Sequence, residues 1–461
     1  MKRGRQASPR VAGTTTARPM VAIVGRPNVG KSTLFNRLAR QKLAIVEDVE
    51  GVTRDRHYAD AFVLGREYVL IDTGGFDPDS DDPMKEGIAG HVELALEECD
   101  IVICAFDGSV DPTSADLEAV KLLRGTDKPV LYVANKADSE KQALGTVSYY
   151  ELGLEKVFPV SALHGRGLGD LEEALAKLLP EPAPEGVTLE DPLEGVPRVA
   201  LVGRPNAGKS SLVNRLTGED RQLVDDRPGT TVDTVDTLLE RDGHRLVLID
   251  TAGMRRKRKV RKQGVEALSV YQAIRAMERS DLVVLMIDAH EGVGEQDAKI
   301  AGLAVDRGCA LVIGLNKGDL MSRDEIAAAR QRTREVLSFA PWAPMVTLSA
   351  KTGRGVKRLL KEVDRAVTAH QKRVKTAALN RFFEEVLERH PPPTQKNRAI
   401  RLYYVTQAAS APPTFVVVTN YPKLVHFSYQ RYVENQLRER FGFEGTPLKI
   451  RYKAKRKVQL R

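Results

Sequence analysis

Apolar residues fall in short, almost uninterrupted blocks that recur in the same order twice. The first series reads MVAIVG (20–25), YVLID (68–72), IVICAFD (101–107) and PVLYVANK (129–136). The second reads RVALVG (198–203), LVLID (246–250), LVVLMID (282–288) and ALVIGLNK (310–317). Blocks with no polar alternation suit strands buried on both faces of a parallel sheet. The stretches that follow the first block of each series, KSTLFNRLAR and KSSLVNRLTG, carry apolar residues at helical spacing. Strand and helix patterns alternating in this way predict an α/β domain, twice over, with a mostly parallel sheet flanked by helices. The pattern changes near 373. ALNRFFEEVLERH reads as helix, AIRLYYVTQ and TFVVVTN as strands, YQRYVENQLRERF as helix and LKIRYKA as strand, a small α+β unit. The expected organisation is a basic tail (1–18), a first α/β domain (19–180), a linker (181–197), a second α/β domain (198–372) and the α+β unit (373–461).

Charge sharpens this division. The chain of 461 residues has a net charge of +9, yet residues 372–461 alone hold 19 Lys or Arg against 6 Asp or Glu. A basic C-terminal unit on a slightly acidic body points to a polyanionic partner, most simply a nucleic acid. The linker PEPAPEGVTLEDPLEGVP is rich in Pro and Gly, and all its charges are negative. The N-terminal tail is basic and lacks the apolar core of a secretory signal, so it reads as a disordered arm. No apolar run reaches the roughly 20 residues that cross a bilayer. Cys99, Cys104 and Cys309 form no CxxC pair and sit in apolar surroundings, which suits buried thiols in a reducing, cytoplasmic setting.

The chemistry sits at the ends of the apolar blocks. GRPNVGKS (Gly25, Arg26, Pro27, Asn28, Val29, Gly30, Lys31, Ser32) and GRPNAGKS (Gly203, Arg204, Pro205, Asn206, Ala207, Gly208, Lys209, Ser210) each join a strand to a helix. In that setting GxxxxGKS is a phosphate-binding loop. Its backbone N–H groups face phosphate oxygens, Lys31 and Lys209 reach the β- and γ-phosphates, and Ser32 and Ser210 offer hydroxyls to Mg²⁺. Further on come Asp72, Thr73, Gly74, Gly75 and Phe76, and in the second copy Asp250, Thr251, Ala252, Gly253 and Met254. Each Asp lies 41 positions after its loop lysine, placed to hold Mg²⁺ through water, with a backbone N–H following for the γ-phosphate.

NKAD (Asn135, Lys136, Ala137, Asp138) and NKGD (Asn316, Lys317, Gly318, Asp319) close later strands, and the pairs Ser161–Ala162 and Ser349–Ala350 follow. The order GxxxxGKS, Thr, DxxG, NKxD, SA resembles the translation-factor class of P-loop GTPases. The resemblance implies that Asp138 and Asp319 accept from the guanine N1–H and 2-amino group. It implies that Asn135 and Asn316 brace the base loop, and that Lys136 and Lys317 cover the base plane. The SA pairs would present a backbone N–H to guanine O6. Thr53 in EGVTRD and Thr231 in PGTTVD correspond to the switch threonine that completes the Mg²⁺ shell.

The position after DxxG, where Ras-like enzymes carry a water-orienting Gln, holds Phe76 or Met254. The resemblance assigns Asn28 and Asn206, which follow Pro in each loop, as ligands of a K⁺ ion set against the phosphates. That ion would do the electrostatic work of an arginine finger; the residue-level alternative is a simple turn asparagine. Tandem GTPase domains, an acidic linker and a basic α+β unit are together similar to the bacterial Der (EngA) family of ribosome-assembly GTPases, over about 18–452. That likeness implies a KH-like C-terminal domain, GTP or GDP as ligand, and the large (50S) ribosomal subunit as partner of a cytoplasmic monomer. Departures are Glu50 where the family carries Pro, Val232 where it carries Arg, and a C-terminal unit read as lacking the GxxG backbone clamp of ordinary KH domains. The run MRRKRKVRKQG (254–264), seven of eleven residues basic, is expected to dock on RNA or on the KH-like unit in one nucleotide state. The competing reading is a nucleotide-responsive RNA-binding scaffold with incidental hydrolysis. A tRNA-modifying GTPase would need a C-terminal catalytic cysteine, and no cysteine follows Cys309.

Overall fold

A computed structural model describes residues 18–39, 58–73, 92, 96, 99–181, 193, 195–218, 222–223, 236–241, 243–249, 265–395 and 397–455. Thr53, Thr231, Gly74, Gly75, Phe76, the segment Asp250, Thr251, Ala252, Gly253 and Met254, the basic run after it, the N-terminal tail and most of the linker lie outside the described residues.

In the first domain, β1 (Met20–Val24) leads through the phosphate loop into α1 (Lys31–Ala39). There follow β2 (Tyr58–Val63), β3 (Arg66–Asp72), β4 (Ile101–Asp107), α2 (Ser114–Arg124), β5 (Val130–Asn135), α3 (Glu140–Gly145), β6 (Val157–Pro159) and α4 (Leu168–Leu178). The sheet order is β2-β3-β1-β4-β5-β6, and only β2 runs antiparallel to its neighbour. Leu34, Phe35 and Leu38 of α1 and Leu171 and Leu175 of α4 pack with Val21, Ile23, Leu70, Ile103 and Val133 of the sheet. The register sets Ile23 beside Asp72 and Asp107 beside Asn135. Polar residues that end separate apolar blocks thus meet at the carboxyl edge of the sheet, where open α/β sheets bind ligands.

The second domain repeats the plan. β7 (Arg198–Val202), α5 (Lys209–Thr217), β8 (Gln222–Leu223), β9 (Thr237–Arg241), β10 (His244–Ile249), α6 (Val265–Glu278) and β11 (Leu282–Asp288) come first. Then come α7 (Glu295–Arg307), β12 (Ala310–Asn316), α8 (Arg323–Val336), β13 (Met345–Thr347) and α9 (Val356–Gln371). The order β8-β9-β10-β7-β11-β12-β13 matches the first sheet, with β8 added at the edge. Leu359, Leu360, Val363, Ala366 and Val367 form the buried stripe of α9 against this sheet.

The C-terminal unit is α10 (Thr376–Arg389), β14 (Leu402–Ser410), β15 (Pro413–Thr419), α11 (Phe427–Phe441) and β16 (Lys449–Ala454). β15 is antiparallel to β14 and parallel to β16. Phe382, Phe383, Phe415, Val417, Tyr429, Val433 and Phe443 fill its core. The C-terminal unit does not lack a GxxG stretch. Gly442-Phe443-Glu444-Gly445 does carry the GxxG spacing, but between α11 and β16, where Phe443 is fully buried and the loop is used for packing. β13 is so short that it leaves the start of β12 uncovered, and Gly445 takes that place. Its carbonyl accepts from Leu311 N–H at 2.8 Å and its N–H donates to Trp342 O at 2.9 Å. Beside it His370 Nδ1 meets Thr446 Oγ1 at 2.8 Å, buried, and the Arg438 guanidinium stacks 4.9 Å from the Trp342 ring centre. Both glycine N–H groups of this loop are thus spent inside the protein, on Arg438 O and Trp342 O.

Among the described residues no helix is long and apolar enough to cross a membrane. All three cysteines are buried free thiols.

Candidate functional site

Each phosphate loop leaves its strand through a glycine and enters its helix through another. Gly25 and Gly203 pass so close to the next strand that a Cβ would overlap the carbonyl oxygen of Ala105 or Met286. Gly30 (φ 88°) and Gly208 (φ 94°) sit in the left-handed region, and a Cβ there would overlap Asn135 Nδ2 or Asn316 Nδ2. That closeness is functional. Asn135 Nδ2 donates to Val29 O at 2.9 Å while its Oδ1 accepts from Ala162 N–H at 3.0 Å. Asn316 does the same to Ala207 O at 2.8 Å and from Ala350 N–H at 2.8 Å. One buried asparagine per domain therefore ties the phosphate loop to the SA loop. The Ser161 hydroxyl donates to Asp138. The Ser349 hydroxyl does so to Asp319 and holds that carboxyl below its ordinary range.

Lys31 Nζ donates to the carbonyls of Gly25 (2.8 Å) and Arg26 (3.0 Å), and Lys209 Nζ to those of Gly203 (2.7 Å) and Arg204 (2.8 Å). Burial lowers both ammonium pKa values, that of Lys209 to about 8, against the opposing pull of Asp72 and Asp297 respectively. A phosphate beside either lysine would favour its charged form. Ser32 Oγ donates to Asp72 Oδ2 at 2.7 Å, so two hard oxygen atoms meet beside Lys31, a donor set suited to Mg²⁺. Ser210 is among the described residues and its partner Asp250 is not. Asn28 and Asn206 take φ of 66° and 64°, a left-handed turn that asparagine tolerates better than most residues.

A family model described as 50S ribosome-binding GTPase matches residues 20–136 and again 198–317. A model described as the C-terminal KH-domain-like unit of EngA bacterial GTPases matches 373–453. GTPase Der of Moorella thermoacetica is 48% identical over 437 residues, spanning 94% of this chain and 98% of that one. The chain belongs to the Der GTPase family. GTPase Der of Geotalea daltonii (43% identical, 95% of this chain and 98% of that one) and of Halothermothrix orenii (45%, 95% and 100%) match equally broadly. The two α/β domains are accordingly GTPase domains, and the basic unit is the Der KH-like domain.

Two features of this Der chain escaped sequence reasoning. Lys136 and Lys317 adopt φ of 68° and 61°, strained for lysine. Each is paired with the aspartate that ends the preceding strand: Lys136 Nζ lies 2.6 Å from Asp107, and Lys317 contacts Asp288 in the same way. Burial would raise the Asp107 carboxyl, but hydrogen bonds from Lys136 and Ser109 bring it below its ordinary value. The second feature is an ion pair made by each phosphate-loop arginine, Arg26 with Asp116 (3.4 Å) and Arg204 with Asp297 (2.8 Å). The available signal was the aspartate recurring at the end of IVICAFD and LVVLMID, and again a few residues into the next helix.

Proposed function

We propose that this chain is a two-site GTP-hydrolysing switch that acts in assembly of the large ribosomal subunit in the cytoplasm, as a monomer. The observation that carries the reading is that two phosphate loops, each tied to its SA loop by an asparagine, are built alike in one chain whose basic C-terminal unit packs directly on the second domain. In each pocket the phosphate loop receives the phosphates, with Lys31 or Lys209 as the cation that meets them. Ser32 with Asp72, and Ser210 with Asp250, hold Mg²⁺, and Thr53 and Thr231 join them when a γ-phosphate is bound. Asp138 and Asp319 select guanine by accepting two N–H bonds that adenine cannot offer. Lys136 and Lys317 lie over the base, and the SA loops, Ser161–Ala162 and Ser349–Ala350, frame its O6 edge.

Phe76 and Met254 cannot orient water, so charge on the transferring phosphoryl group needs another source. Asn28 and Asn206, presented in an unusual turn, fit K⁺ ligands, and hydrolysis is stimulated by K⁺ over Na⁺. The family description of a 50S ribosome-binding GTPase, together with the excess positive charge after residue 372, supports the ribosomal partner. Co-sedimentation with purified large subunits in K⁺ buffer tests the switch. Pelleting with a non-hydrolysable GTP analogue and not with GDP is expected. Equal pelleting with both would instead make the chain a constitutive RNA-binding scaffold.

A further inference from the structure

We infer that Asp116 and Asp297 are positioning residues for guanine-nucleotide binding, each holding the phosphate loop of its own domain through the loop arginine. The inference rests on the GTPase reading of the two loops. Asp116 stands in the first turn of α2 and Asp297 in the first turn of α7, with side chains 2% and 0% exposed. Asp116 Oδ2 accepts from Thr113 N–H at 2.9 Å and Thr113 Oγ1 at 2.7 Å, which fixes the rotamer and leaves Oδ1 facing Arg26 Nε. Asp297 Oδ2 takes both Gly294 N–H, at 3.0 Å, and Arg204 Nε, at 2.8 Å, and the Arg204 guanidinium also donates to Gly292 O.

Capping a helix needs only an acceptor, which a neutral Asn or Gln supplies. A carboxylate withdrawn from water is costly unless a cation and hydrogen bonds compensate, and in both domains the second residue of the phosphate loop is such a cation, joined at Asp297 by Lys209. The loop is thereby held at two points. Asp116 holds it at Arg26 through charge across 3.4 Å and Asn135 at Val29 through a hydrogen bond; Asp297 holds it at Arg204, at 2.8 Å, and Asn316 at Ala207. Between those points lie Pro27 and Pro205, whose φ is preset, and the left-handed Asn28 and Asn206. A sparsely populated turn of this kind persists only when its surroundings over-determine it. Freed at the arginine, the loop loses the conformation in which its N–H groups converge on phosphate.

The test uses the full chain with the second site silenced by Lys209→Ala, and reads the release rate of a methylanthraniloyl-GDP probe from the first. Asp116→Asn is expected to speed release about tenfold, the scale of a buried coupled pair. Arg26→Gln should do the same, and the double variant should be no faster than either single one. Thr113→Ala removes one of the two bonds that fix the Asp116 rotamer but leaves the carboxylate and the backbone bond, so it should lower the unfolding midpoint and speed release less than Asp116→Asn does. Asp297→Asn with Lys31→Ala is the mirror experiment. Release at the parent rate from folded Asp116→Asn would reduce the carboxylate to a helix cap. Additive effects of Asp116→Asn and Arg26→Gln would also overturn the inference, and if Asp116→Asn does not fold, Arg26→Gln alone decides. A parent chain that binds no guanine nucleotide would refute the GTPase reading beneath it, a failure recognisable before any variant is made.

Discussion

At Asn135 a single amide serves two loops at once, donating to Val29 O and accepting from Ala162 N–H. Both partners belong to buried residues. Replacing Asn135 by Ala leaves each without a partner, and an unsatisfied buried polar group costs about 1–3 kcal/mol. Asn135→Ala is therefore expected to destabilise the first domain by about 2 kcal/mol or more and to accelerate nucleotide release there, with the second site unaffected. Urea denaturation and probe release, measured on the same variant, check this. The residue type was legible in the sequence because NKxD, in that order of motifs, already named it. Its partners were legible in part: Ala162 was singled out beside it, whereas a bond to Val29 O depends on how closely Gly30 lets the chains approach.

The same contrast holds for whole elements. Strands buried on both faces, β1, β4, β7, β11 and β12, announced themselves as continuous apolar runs, as did β5, which leaves Val130 and Tyr132 partly exposed. β2 and β9 did not, because each lies toward a sheet edge and keeps part of its surface in water, with the sequences YADAFV and TLLER. Pairings between elements were hidden for another reason. Asp107 meets Lys136 because β4 and β5 align Asp107 with Asn135, and a register is a property of two strands together. In the KH-like unit, α11 is tied to the end of α10 by Tyr429, whose hydroxyl donates to His390 O at 2.8 Å. Burial pushes this phenol up to about 12. The folded state thus keeps the proton that the unfolded chain releases near pH 10, so the contribution is intact below pH 10 and is lost as pH rises toward 12. The unfolding midpoint of the C-terminal unit is expected to fall more steeply over pH 10–12 in the parent than in Tyr429→Phe, which circular dichroism melts resolve.

For the molecule as a whole, the consequential contact is the seat of the KH-like unit on the second GTPase domain. Gly445 has φ of 75°, and a Cβ there would press on Ala366. Gly445→Ala combines left-handed backbone strain with overpacking, together about 2 kcal/mol. It is expected to speed hydrogen exchange at the Leu311 amide, whose acceptor is Gly445 O, relative to the other amides of β12. Unchanged exchange at Leu311 would mean the seat contributes little to holding the two parts together.

β12 has Leu311 near one end and Asn316 at the other, and a strand of that length, some 20 Å, has almost no give along its axis. Leu311 is bonded to the C-terminal unit, and Asn316 to the loops that frame the second pocket. A hydrogen bond weakens markedly when stretched by about 0.5 Å. A pull on the C-terminal unit that shifts this strand by so small a distance would therefore be delivered, through a rod and not a hinge, to the asparagine that ties the phosphate loop to the SA loop. Tension on the C-terminal unit would then act at one end of β12 and be felt at the other, where the second phosphate loop is held.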